Sequence, residues 1–405
     1  MSITVKIRRD KLKLSIFIAS KNRQKYLLQT LKSFELISKD FEVVISDNSD
    51  APLSKQVLDS LRAKISIKYF HVTEPIPSVE NFRRHIGQCS GQYVTCIGDD
   101  DSVHPDIVDI LSLFDDFHAP VIVGNLNYTY SWPGSLSFIG LDFLDKGVLK
   151  GNKSSLSVEV IQNDNRNLSA IANCGGFNYL SFQLPKLYHG FVQREVLLKI
   201  KDCTGQFVGG VSPDIYWSTI LTLLTKWHIR VDFPLTLPGT CFESSSIQEG
   251  KLKANSNTFY DAPHLINYSN YKKNDEIPDF YCMETVWAES FLTALKDYGA
   301  DELSNQFNSK SLKQAIIQKK YSARVDRPSN LDVINKLSLT LKLFVLFLKD
   351  RYFSVRKQNS AQKIYRFNIE NIFAAQKILW KQEHDLLSLQ CFVEECLNRS
   401  KSETQ

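Results

Sequence analysis

The chain has 405 residues, long enough for two or three domains or for one large domain with an appendage. Hydrophobic residues make up 43% and charged residues 23%, an ordinary globular balance that excludes wholesale disorder. The 49 basic residues outnumber the 44 acidic ones by only enough for a formal net charge of +5, too small an excess to argue for a nucleic-acid partner.

The opening MSITVKIRRDKLKLSIFIAS has no long apolar stretch before a small-residue cleavage site. No uncharged apolar run reaches the roughly 18 to 20 residues of a membrane span. None of the eight cysteines is spaced C-x-x-C, which argues against a zinc site or a thioredoxin-like motif. Cys96 falls inside an apolar run and reads as a reduced core thiol, so the expected compartment is the cytoplasm.

The first half predicts alternating strands and helices. Leu14 to Ala19 is a short apolar run that reads as a buried strand. Leu27, Leu28, Leu31 and Phe34 then share one helical face. Phe41 to Ser46 is a second strand ending in the turn-forming DNSD. Val57, Leu58 and Leu61 suggest a helix, Ile65 to Val72 a third strand, and Ser78 to Cys89 a helix closed by Gly91. Tyr93 to Ile97 is a fourth strand, followed at once by Gly98-Asp99-Asp100-Asp101. Pro105 opens a helix through Leu113, and Pro120 to Gly124 is a fifth strand. Residues 125–185 read as long loops with short strands, in which Tyr128, Tyr130 and Trp132 are either packed rings or platforms for a sugar face. Val208 to Ser212 is a flexible loop, and Pro213 and Asp214 open a helical run through Leu224. Beyond about residue 278 the pattern turns helical.

This alternation implies an α/β doubly wound, mostly parallel sheet with a C-terminal helical extension. In such sheets ligands bind beyond the carboxyl ends of the strands. The polar clusters at Ser20 to Arg23, Asp47 to Asp50 and Asp99 to Asp101 each follow a strand, so three strands aim polar groups at one rim. Neither common glycine-rich phosphate cradle is present, so a bound diphosphate would need another source of positive charge. Asp99 and Asp101, two apart, face one side of an extended segment, and their hard oxygens suit Mg2+ or Mn2+. The competing reading makes the aspartates turn and cap residues, Asp47 an Asx-turn residue and Asp214 an ordinary first-turn acid.

SIFIASKNR, VISDNSD and NFRRHIGQCSGQYVTCIGDDD, in this order, resemble the consecutive motifs of family 2 glycosyltransferases, which have the GT-A fold. The GDDD form resembles the abequosyltransferase-like subgroup of bacterial surface polysaccharide enzymes. The resemblance covers roughly residues 12–240. It implies that Ser20 and Arg23 lie near the nucleotide and that Asp47 contacts the donor base. Asp99 and Asp101 match the Asp-x-Asp motif, with Asp101 as direct metal ligand, Asp99 nearer the ribose or donor sugar, and Asp100 between them. Asp214 matches the catalytic base, with Pro213 where relatives carry the first member of an acidic pair. Tyr188-His189-Gly190 resembles the segment before the base, Asp232 to Leu235 the strand that closes the catalytic domain, and residues 125–185 the acceptor region.

The expectation is therefore a metal-dependent inverting transferase. It takes a nucleoside-diphosphate sugar and a saccharide or lipid-linked saccharide acceptor, with a catalytic domain at 1–250 and a mainly helical extension at 251–405. Rival classes are a nucleotidyltransferase, though SKNRQKY lacks that class's glycine- and lysine-rich loop, and a non-catalytic glycan-binding scaffold. His228, and Glu243 with Ser244 to Ser246 beyond it, are further candidates for the acceptor side. Lys342, Lys349 and Arg356 recur every seven residues in Leu331 to Lys357, which fits either a core helix or a basic face on the cytoplasmic side of an anionic membrane.

Overall fold

Leu14–Ser20 (β1) and Phe41–Asp47 (β2) are buried along nearly their whole length, the state that an uninterrupted apolar run demands when helices cover both faces of a sheet. The computed structural model describes residues 12–37, 40–135, 146–152, 155–244, 258–266, 268, 270–325, 363–382, 389 and 393. The remaining strands are Ile67–His71 (β3), Tyr93–Ile97 (β4), Ser102–Val103 (β5), Val121–Gly124 (β6), Tyr128–Ser131 (β7), Gly147–Asn152 (β8), Val158–Gln162 (β9), Gly190–Gln193 (β10), Trp227–Val231 (β11), Thr236–Leu237 (β12), Gly239–Thr240 (β13) and Lys363–Ile369 (β14).

The main sheet has eight strands in the order β3-β2-β1-β4-β10-β6-β11-β9. Neighbours from β3 to β4 run parallel, as do β6 and β11, whereas β10 and β9 run antiparallel to their partners. The fold is thus mixed α/β on a mostly parallel sheet. The alternation of side chains along β1 feeds two cores. Ile16 and Ile18 pack with Leu27, Leu31, Leu58 and Ile110, while Phe17 joins Val79, Leu197, Tyr216 and Trp217 on the opposite face.

The closing strand lies earlier than predicted, at Trp227–Val231 rather than Asp232 to Leu235. Pro234 has no amide for a ladder, whereas Ile229 and Val231 put their side chains into the core. The helix Asn165–Asn173, absent from the sequence expectation, buries Leu168, Ile171 and Ala172 and is capped by Asp164.

Segments after residue 250 pack directly onto this framework. β14 pairs antiparallel with β8 in a second sheet of order β13-β7-β8-β14. The helix Ile372–Gln382 lies against Gln24–Ser33; its Gln376 donates to the Val103 carbonyl and its Trp380 to that of Pro234. The helix Met283–Tyr298 packs along Pro213–Leu224. Leu331 to Lys357, with its basic spacing, lies outside the described residues. Among the described residues no helix is long and apolar enough to cross a membrane.

Candidate active site

Strand register brings the polar clusters together. Ser20 pairs with Asp47 across β1 and β2, and Ile18 with Ile97 across β1 and β4, so the loops after β1 and β4 leave the sheet side by side. β10 runs the other way, so its leading residue, His189, reaches the same rim. The resulting cleft holds about 440 Å³, within the range of small-ligand sites, and is lined by Ser20, Arg23, Asn48, Asn81, Asp99, Asp100, Asp101, Tyr188, His189 and Asp214 among others.

Asp99, Asp100 and Asp101 are all nearly inaccessible to solvent, yet each is held differently. Asp99 accepts from the Ser20 hydroxyl at 2.6 Å, and its other oxygen has no hydrogen-bond donor. Asp100 accepts from the Cys241 amide and the Ser244 hydroxyl. Arg23 spans the two, with Nη2 at 3.1 Å from Asp99 Oδ1 and 2.7 Å from Asp100 Oδ2. Arg23 is therefore the counter-ion of the cluster rather than a solvated charge. Asp101 points inward, accepting from the Gly98 and Gly239 amides at 2.6 and 2.7 Å and lying 3.3 Å from His189 Nε2. Thr30 ties the loop from below, donating to the Asp99 and Asp101 carbonyls.

This packing explains two glycines. A Cβ on Gly98 would meet Asp100 Oδ1 at 2.8 Å and the Tyr188 hydroxyl at 2.9 Å, so a side chain there would have to displace both. On Gly239 it would lie 1.7 Å from the Asp100 carbonyl oxygen. His189 is held at φ 60, a left-handed conformation that costs a non-glycine residue about 1 kcal/mol, and Thr236 fixes its Nδ1.

Asp214 stands in the first turn of Pro213–Leu224. Burial raises its pKa to about 6 against the opposing pull of Lys186, a residue with no motif to mark it in the sequence. The preceding loop is anchored from the Met283–Tyr298 helix, where Ser290 Oγ accepts the Val211 and Ser212 amides at 3.0 and 2.7 Å.

Several expected residues lie elsewhere. Asp47 is fully buried and accepts from the Ser49 amide and hydroxyl and from the Tyr69 hydroxyl, an Asx-turn at the end of β2. Asn48 is the residue of that turn that lines the cleft. His228 is buried against Asn163, and Glu243 is paired with Tyr26 and Lys25. Tyr128, Tyr130 and Trp132 are core rings, packed with Leu149, Ile372 and Leu379. The contributions of Asn81, Gly239 and Cys241 carry no local sequence signal, whereas Ser244, a candidate for the acceptor side, instead donates to Asp100.

The carboxylates fit a cation only in part. Asp99 Oδ1 and Asp100 Oδ2 converge on one cationic nitrogen, and one of them lacks a hydrogen-bond donor. Among the described residues, however, no group of three His, Cys, Asp or Glu side chains is arranged to hold a metal ion. The described residues thus form no closed protein cage, and an ion here would need phosphate oxygens or water as further ligands.

Burial pushes the Asp99 pKa up to about 7 and raises that of Asp101 well above the carboxylate range. A carboxyl whose folded pKa is raised stabilises the fold when protonated, and that stability is lost as pH rises through the folded value. The ligand-free protein should therefore lose stability as pH rises from about 4 to about 7, by up to about 1.4 kcal/mol per pH unit from Asp99, and the loss from that group should level off above pH 7. Scanning calorimetry across that window checks this, and Asp99→Asn should flatten the slope.

The geometry can be set beside known proteins. Residues 15–137 match the family model of Glycosyl transferase family 2. The matched stretch contains Ser20, Arg23 and the three aspartates, whereas Asp214 lies beyond it. No curated protein matches the chain. Similar solved structures include S. aureus TarS 1-349 in complex with UDP-GlcNAc, 14% identical over 81% of this chain and 77% of that one, with a TM-score of 0.40. Another is the mannosyltransferase PcManGT from Pyrobaculum calidifontis in complex with GDP-Man and Mn2+, 11% identical over 92% and 88% of the two chains, with a TM-score of 0.37. Neither likeness is close enough to carry function.

Proposed function

We propose that the cleft binds a nucleoside-diphosphate sugar and transfers its sugar, with inversion, to a hydroxyl of a saccharide or lipid-linked saccharide acceptor in surface polysaccharide synthesis. The supporting observation is the convergence of Asp99 to Asp101 and Asp214 on one cleft at the strand ends, within a chain whose residues 15–137 match family 2. The GDDD sequence favours the abequosyltransferase-like branch of that family.

Asp99 and Asp100, whose oxygens meet at the Arg23 nitrogen, would hold Mg2+ or Mn2+, which when bound neutralises the leaving diphosphate, while Asp101 braces the loop through the Gly98 and Gly239 amides. Ser20 sets the orientation of Asp99, and Arg23 can turn from carboxylate to phosphate as the donor enters. Asp47 acts here through the turn that presents Asn48. Asp214 takes the proton of the acceptor hydroxyl while its oxygen attacks the anomeric carbon, and the bond to the diphosphate oxygen breaks with its electron pair in the same displacement. A pKa near 6 leaves about nine-tenths of the group ionised at pH 7 and makes it a stronger base than an ordinary aspartate.

UDP or GDP should raise the melting temperature only when a divalent metal is present, because a ligand bound to the native state alone stabilises it by mass action. Equal stabilisation in excess chelator would remove the metal bridge, and no stabilisation by any nucleoside diphosphate would remove the donor reading.

A further inference from the structure

One wall of the cleft is built after residue 258. It consists of Pro263, His264, Ile266, Met283 and Trp287. Met283 and Trp287 are four apart on the Met283–Tyr298 helix and share a face, with Ser290, the anchor of the Asp214 loop, three residues further along it. The Trp287 ring meets Tyr179 edge-on at 5.3 Å, and the Tyr179 phenol feels the Asp214 charge, so this wall adjoins the base.

None of its five residues carries a formal charge at neutral pH, since burial holds the His264 pKa down to about 4. A diphosphate would find no cation here. Two features nevertheless call for a ligand. His264 Nδ1 is buried without a hydrogen-bond partner, which costs roughly 1–3 kcal/mol until something supplies one. Ile266 leaves 60% of its surface exposed beside a half-buried indole. Apolar ring surface next to an unsatisfied neutral imidazole suits a molecule with a C–H face and hydroxyl edges.

We propose that this wall is the acceptor subsite, where a neutral sugar ring stacks on Trp287 and sets a hydroxyl edge against the His264 imidazole. This rests on the glycosyl-transfer reading and names which part of the chain selects the acceptor: the segment after residue 258, not the 125–185 region.

The test applies the full chain, with UDP or GDP and manganese, to an array of defined oligosaccharides and lipid-linked disaccharides. Melting curves with and without the same nucleotide run alongside. Wild type should retain a subset of the saccharides. Trp287→Ala and His264→Ala should each lower that retention about tenfold or more while leaving the nucleotide-dependent melting shift in place. Trp287→Phe, which keeps a platform, should stay within a few-fold of wild type and guards against a merely misfolded alanine variant. Wild-type retention by Trp287→Ala would overturn the subsite. So would a wild-type protein that shows the nucleotide shift but retains no saccharide. Absence of the nucleotide shift in wild type would instead overturn the reading on which the subsite rests.

Discussion

Asp214→Asn is expected to lower sugar transfer by roughly 10²–10⁴-fold while leaving nucleoside-diphosphate affinity within about twofold of wild type. Asparagine keeps the shape of the side chain in the first turn of Pro213–Leu224 but cannot accept a proton at neutral pH. The wild-type profile of kcat/KM should rise with pH to about 6, where Asp214 titrates, and then level off, and the variant should lose that limb. Calorimetric binding beside a product assay makes the comparison. A folded Asp214→Asn protein that transfers normally would place the base elsewhere. Glu243 would be a poor substitute, since it is already engaged by Tyr26 and Lys25.

Arg23→Ala should have the largest effect on stability. It strips Asp99 and Asp100, both almost wholly buried, of the guanidinium that lies 3.1 and 2.7 Å away. Removing one partner of a buried ion pair typically costs 3–5 kcal/mol, about the loss expected here. Manganese alone should then recover part of the melting temperature and bind the variant more tightly than wild type, because the place of the guanidinium is open to a cation. Calorimetry and a manganese titration followed by electron paramagnetic resonance measure the two effects. An Arg23→Ala protein that melts like wild type and gains no manganese affinity would show that Arg23 is not the internal counter-ion.

The strands that build the site were legible because each is an apolar run with a polar cluster at its carboxyl end: LSIFIAS before Lys21, FEVVISD before Asn48, YVTCI before Gly98. The chain-order alternation then placed Ser20, Arg23 and the three aspartates on one rim, where the structure has them. Legibility failed where position depends on a distant approach. Gly239 matters because it passes within contact of the Asp100 carbonyl, 139 residues away in the chain, and no local pattern marks that crossing. Lys186 bears on Asp214 from 28 positions away in the chain, which no local pattern marks. Asp47 is a different case. Its local setting, strand end followed by Asn and Ser, fits an Asx-turn and a ligand contact equally well, and its Tyr69 partner comes from β3, which no local pattern marks. The tyrosines and tryptophan of 128–132 could not be assigned to a core before β14 and the Ile372–Gln382 helix were known to cover them.

The grip of Ser290 on the Val211 and Ser212 amides bears on how such a chain could be re-engineered. One hydroxyl joins the helix that walls the far side of the cleft to the loop that aims the base, and Gly210 approaches that serine so closely that an added Cβ would sit 2.7 Å from its Cα. Grafting a foreign C-terminal half onto this donor-binding half is therefore not a free exchange of modules. A chimera must carry a small hydroxylated residue at that point of the helix and a glycine opposite it, or the base will be aimed by a joint that no longer closes.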